Sequence, residues 1–152
     1  VSMGAATVTM ISGDEAILPP YVRAYVEDCG YTSVWDQFLH NAKQSFAWLP
    51  FKKVVLGCAS GMCNLEHHWN FKEASSVDQV AKSTRPMLFI HGDADDYVPF
   101  SHLQVNYDAK TQGYKQMWVA PGTAHAAAFR DHPEEYVKVV GEFIDKVKTE
   151  NL

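Results

Sequence analysis

The run Pro86-Met87-Leu88-Phe89-Ile90, closed by His91-Gly92, constrains the fold of this chain more than any other stretch. No polar residue alternates with its apolar ones, so as a strand it has no side to turn to water and needs cover on both faces. Strands of that kind belong to parallel sheets flanked by helices, and the neighbouring sequence supplies them. A helix is expected from about Ser76 to Lys82 before the run, and another from about Leu103 to Lys110 after it, stopping at Gly113. A second strand, Gln116-Met117-Trp118-Val119, ends at Pro121-Gly122. The last helix starts near Pro133 or Glu134, with acids in its first turn and Lys146 and Lys148 in its last, as the helix dipole favours. Its apolar stripe is Tyr136, Val139, Val140, Phe143, Ile144 and Val147. Alternation of strand and helix predicts an α/β fold with parallel strands and helices on both faces.

Toward the N-terminus the punctuation is equally plain. Small and apolar residues from Gly4 to Ile11, closed by Ser12-Gly13, predict a short buried helix with a glycine stop. Pro19-Pro20 breaks the chain, and Val22 to Val26 reads as a strand leading into Glu27-Asp28-Cys29-Gly30. From Ser33 to Trp69 large apolar residues recur at mixed helical spacing, among them Trp35, Phe38, Phe46 and Trp48, with Pro50 and Gly57 as interruptions. A helical insert over 33–72 is expected there. No repeat or linker-like tract divides the chain, which is read as one unit.

With 47% hydrophobic and 20% charged residues, the 152-residue chain has the composition of a globular domain rather than a disordered one. Its formal net charge of -5 and the lack of a basic cluster longer than Lys52-Lys53 argue against nucleic acid as a partner. No apolar run approaches the roughly 20 residues that span a bilayer, and Val-Ser-Met-Gly at the start has no signal-peptide architecture. Three cysteines, Cys29, Cys58 and Cys63, are too few for a disulfide framework and are expected as buried free thiols. Cys58 and Cys63 stand near His67 and His68, but without a second ligand pair at finger-like spacing, and no metal is expected.

Three short motifs carry chemistry. Val1-Ser2-Met3-Gly4 resembles a nucleophile elbow, G-x-S-x-G, without its first glycine. On its own it is equally a serine capping the start of a helix. His91-Gly92-Asp93-Ala94-Asp95-Asp96-Tyr97-Val98-Pro99 resembles the signature that follows the seventh strand of α/β-hydrolases, with Asp95 in the place of the acid. Pro121-Gly122-Thr123-Ala124-His125 resembles the loop that brings their histidine after the eighth strand. The order Ser, Asp, His is that of the α/β-hydrolases, and each residue falls at a strand end, where open parallel sheets place their sites.

The resemblance implies catalytic roles for Ser2, Asp95 and His125. A serine hydroxyl is a poor nucleophile near neutral pH, so a base must take its proton, which suits His125, while Asp95 would fix the histidine tautomer. The Met3 N–H at the head of the first helix would donate to the oxyanion, at roughly 3 kcal/mol per donor. Alternatives are Asp93 and Asp96 as turn residues that mimic the acid, Asp28 as an acid following the preceding strand, and His91 as a packing residue of the turn. Trp35 and Phe38 either pack the insert on the core or line an acyl pocket.

The wider stretch Val26 to Trp35, with Phe71-Lys72-Glu73-Ala74-Ser75, resembles bacterial cell-surface hydrolases of the dienelactone-hydrolase or prolyl-oligopeptidase-like kind. That resemblance implies the C-terminal half of an α/β-hydrolase three-layer sandwich, with a helical lid insert and with its N-terminal half absent from this chain. It further implies a serine esterase needing no cofactor and acting on a small ester, with a serine peptidase as the neighbouring activity and a cell-surface or membrane-anchored location. The rival expectation is an inactive fragment, since the first strands and a second oxyanion donor would lie in the absent half.

Overall fold

Three strands, β1 (Tyr25–Asp28), β2 (Met87–Gly92) and β3 (Lys115–Ala120), form one parallel sheet in the order β1-β2-β3. The coordinates are a computed structural model that describes residues 1–152. β2 is the central strand and all six of its residues are buried, as its unbroken apolar run requires. Tyr25 registers with Met87 on one side, and Met87 with Lys115 on the other.

Successive residues of β2 feed two different cores. Leu88 and Ile90 pack with Ala120, Ala128, Phe143 and Val147 under α6 (Ala128–Asp131) and α7 (Pro133–Thr149). Met87 and Phe89 pack with Tyr25, Val80 and Leu103 on the other face, beneath α1 (Met3–Ile11), α4 (Ser76–Val80) and α5 (Ser101–Ala109). The fold is therefore α/β, with helices on both faces of a parallel sheet. On α7 the apolar stripe is the buried one except at Ile144, which is 40% exposed.

Some boundaries differ from the sequence reading. β1 is Tyr25–Asp28 rather than Val22–Val26, because the Pro19 and Val22 carbonyls are turned toward the Arg85 guanidinium instead of a neighbouring strand. Glu27 and Asp28, expected just beyond the strand, are buried residues of the strand itself. Gly57 does not interrupt a helix: α3 (Lys52–His67) runs through it, since this part of the helix is open to solvent. Only Cys29 is a buried thiol, for Cys58 is exposed and Cys63 half-buried on α3. The short α6 was not anticipated.

Residues 33–72 leave and rejoin the body side by side, where Ser33 and Ser75 form an antiparallel bridge. Ser33 caps α2 (Val34–Ser45) by accepting the Asp36 N–H at 3.0 Å, and Ser75 caps α4 in the same way through Asp78. α3 packs on α2, turning Leu56 and Ser60 inward while Val54, Val55, Met62 and Leu65 stay exposed. No helix is long and apolar enough to cross a membrane.

Gly113 joins the turn before β3 to the one before β2. Its φ is +69°, and a Cβ there would collide with the Thr84 carbonyl oxygen. Gly113→Ala combines a left-handed backbone with a backbone clash, and should destabilise the fold by about 2–3 kcal/mol. Urea unfolding checks this as a lower midpoint at unchanged slope.

Candidate active site

Ser2 stands immediately before α1 with φ 54° and ψ −125°, a conformation that a residue with a side chain rarely keeps without external restraint. The restraint is visible: the Ser2 N–H donates to the Asp28 carbonyl at 2.8 Å, tying the serine to the end of β1. The turn that presents this carbonyl is itself braced. Cys29 has φ +51° and donates its N–H to the Ile90 carbonyl at 2.8 Å, and Gly30 donates to Glu27 Oε1 at 2.7 Å. A Cβ on Gly30 would strike that carboxyl, so any other residue there would push the Glu27 side chain out of this hydrogen bond.

Asp95 follows the end of β2 and is clamped by its own turn. Its Oδ1 accepts the N–H groups of Tyr97 at 3.0 Å and Val98 at 2.9 Å, an Asx-type arrangement. Its Oδ2 lies 2.7 Å from His125 Nδ1 and 3.2 Å from His91 Nε2. Burial works to raise the Asp95 pKa, but the hydrogen bonds from His91, His125 and the Val98 N–H outweigh it and hold the carboxyl below its ordinary value. An ionised Oδ2 can only accept, so His125 carries its proton on Nδ1 and leaves the Nε2 lone pair free. That lone pair faces Ser2 Oγ at 2.8 Å. The three side chains thus form one hydrogen-bonded relay at the C-terminal edge of the sheet, assembled from residues 123 and 30 apart in sequence.

The competing residues are engaged elsewhere. Asp28 Oδ2 accepts the Tyr136 hydroxyl at 3.2 Å, Asp93 Oδ1 accepts the Gly122 N–H at 2.6 Å, and Asp96 points its carbonyl at His40 and Gln44. His91 Nε2 also faces the Val98 carbonyl at 3.0 Å, which makes it a brace of the Asp95 turn. His102 Nδ1 accepts the Thr32 N–H at 3.3 Å and His132 bonds the Pro121 carbonyl at 2.9 Å. Met3 opens α1, so its N–H has no intrahelical acceptor.

Beside Ser2 and Met3 lies a small cleft of about 110 Å³, walled by Tyr31, Gln37, Phe38, Asn41, Tyr97 and Val98. Phe38 is at this cleft and meets Phe71 edge-on at 5.1 Å. Trp35 is not among its walls; its ring carries the Lys72 ammonium at 4.8 Å instead. Tyr97 rests on the His125 ring with centroids 4.9 Å apart, a contact that the sequence reading missed although Tyr97 stands two residues after Asp95. Cys29 Sγ lies within 4.8 Å of the Asp95 and His125 ligand atoms, the one grouping of metal-ligand types this close in the chain. Burial and then the nearby Asp28 charge push its thiol up to about 12, and Asp95 and His125 are already bonded to each other, so the grouping reads as the floor of the relay rather than a metal centre.

Comparison with known proteins agrees with this architecture. The model of the prolyl oligopeptidase family matches residues 24–150. The YqkD protein of Bacillus subtilis is 29% identical over 146 residues, which is 96% of this chain and 46% of that protein. Among solved structures, the esterase Pf2001 of Pyrococcus furiosus superposes with a TM-score of 0.65 at 20% identity, over 95% of this chain and 51% of the other. An acylaminoacyl peptidase of Pyrococcus horikoshii gives 0.62 at 16% identity, over 97% and 23%. The chain spans about half the length of the relative and of the esterase, and less of the peptidase.

Proposed function

The chain belongs to the prolyl oligopeptidase family of α/β-hydrolases, and we propose that it carries the catalytic relay of a serine hydrolase that cleaves carboxylic esters through an acyl-enzyme. One observation supports this above the rest: the unbroken hydrogen-bonded sequence from Asp95 through His125 to Ser2 Oγ. Ser2 Oγ attacks the acyl carbon while its proton passes to His125 Nε2, and Asp95 stabilises the imidazolium that results. The Met3 N–H, free at the head of α1, donates to the oxyanion. As the tetrahedral intermediate collapses, the bond to the leaving oxygen breaks and His125 returns its proton to that oxygen. Water then gives a proton to His125 and attacks the acyl carbon, releasing the acid and restoring the serine hydroxyl. Every step uses side chains and backbone of this chain, with no metal or organic cofactor.

Peptide cleavage is the second reading, favoured by the family match. The chemistry of the relay is common to both, and the leaving group decides between them. The helical segment 33–72 would serve as the lid, since α2 forms a wall of the cleft.

A fluorophosphonate probe tests the nucleophile directly. One probe should add to the protein, and peptide mapping by mass spectrometry should place it on Ser2. An adduct on another serine would overturn the assignment. p-Nitrophenyl esters of increasing acyl length, run beside aminoacyl and prolyl-peptide anilides, then separate esterase from peptidase.

A further inference from the structure

One wall of the cleft beside Ser2 contains an amide whose hydrogen bonds are incomplete. Gln37, on α2, is only 4% exposed and lines the cleft. Its Nε2 donates to the Tyr97 carbonyl at 2.7 Å, and a carbonyl can only accept, which fixes which end of the amide is nitrogen. The same Nε2 gives its second hydrogen to Asn41 Oδ1 at 3.1 Å. Both donors are thus spent, and Gln37 Oε1 is left buried without a partner. The orientation propagates, because Asn41, committed through Oδ1, keeps its Nδ2 donors unused beside the same cleft.

A buried acceptor without a donor is a standing cost to the fold, which a ligand bringing that donor recovers. The neighbouring amides together hold one spare acceptor, Gln37 Oε1, which has no exposed surface of its own and meets a ligand only when the Gln37 side chain turns toward the cleft, and one spare donor, Asn41 Nδ2. A hydroxyl complements both at once, donating to the first and accepting from the second, whereas a methyl group in its place leaves both unmet. The cleft holds about 110 Å³, room for a short acyl group.

We propose that Gln37 and Asn41 form a specificity site for short acyl groups that carry a hydroxyl near the scissile carbonyl. The site rests on the reading of Ser2 as nucleophile, since the cleft opens beside that residue. It gives a reason for Gln37 being the one buried residue of α2, and it makes the Tyr97 carbonyl the anchor that aims the amide.

The test compares two esters of nearly equal shape, p-nitrophenyl 3-hydroxybutanoate and p-nitrophenyl 3-methylbutanoate, each rate divided by that ester's rate in buffer alone. The hydroxyl ester should have a kcat/KM about tenfold higher. Gln37→Met should erase that ratio and Asn41→Leu should reduce it, whatever either variant does to the two rates in common. A ratio near one in the native protein, or one unmoved in both variants, would overturn the site. Binding to Ser2→Ala, followed by NMR shifts with methyl 3-hydroxybutanoate and methyl 3-methylbutanoate, separates the two readings. A protein that hydrolyses neither ester but binds the hydroxyl one selectively keeps the site and loses the hydrolase reading; equal binding of the two removes the site.

Discussion

Asp95→Asn should lower kcat for any ester or peptide bond the protein cleaves by about 10⁴ while leaving KM and the fold nearly unchanged. Asparagine keeps an Oδ1 to accept the Tyr97 and Val98 N–H groups, so the turn after β2 survives. What changes is the atom facing His125. An amide nitrogen at the Oδ2 site donates, and His125 Nδ1, now 2.7 Å from a donor, must accept. The proton moves to Nε2, where it meets Ser2 Oγ, and the base can no longer take the serine proton. His91 Nε2, 3.2 Å from the same site, is likewise left facing a donor. Steady-state kinetics and circular dichroism of the purified variant check both halves of the expectation. A loss below about tenfold would remove Asp95 from the relay.

The second large effect is one of stability and runs in the less familiar direction. Glu27 is fully buried at the end of β1, and burial raises its pKa from the ordinary 4.5 to about 8 against the opposing hydrogen bond from Gly30. Between those two values the folded chain binds a proton that the unfolded chain has released, so stability falls as pH rises through this window and levels off above it. At about 1.4 kcal/mol per unit, the total is on the order of 5 kcal/mol. Glu27→Gln keeps an oxygen for the Gly30 N–H and cannot ionise. It should match the native protein near pH 5 and exceed it by a margin that grows toward pH 8. Urea midpoints for the two proteins at pH 5, 6.5 and 8 would show it; parallel lines would mean that Glu27 is already ionised in the fold.

These two carboxyls mark what the sequence reveals and what it hides. Asp95 sits in a motif whose turn chemistry is local, so resemblance to the signature of α/β-hydrolases could single it out as a candidate, and the same holds for His125 between Gly122 and α6. β2 was legible because an unbroken apolar run leaves one physical solution. Glu27 was left beyond the end of the expected strand because its satisfaction comes from Gly30 only after Cys29 adopts a left-handed backbone, which no pattern of residue types records. Gln37 was hidden for a related reason: the carbonyl that orients it belongs to Tyr97, 60 residues away. Trp35 and Phe38 were treated alike as aromatic residues of one helix, yet of the two only Phe38 is a wall of the cleft. Ser2 itself has little local signal, and its place in the relay depends on the Asp28 carbonyl across the β1 turn.

The 123 residues that separate Ser2 from His125 also have a meaning during synthesis. At translation speeds of about 5–20 residues per second, the serine leaves the ribosome roughly 6–25 s before its base. Throughout that interval the hydroxyl is chemically ordinary, however far the helices and first strands have formed. Products of stalled or prematurely terminated synthesis that stop before His125 carry an inert alcohol. The proposed activity is switched on only once His125 has emerged and folded against Asp95, which keeps the hydroxyl from nearby esters and nascent peptides until then.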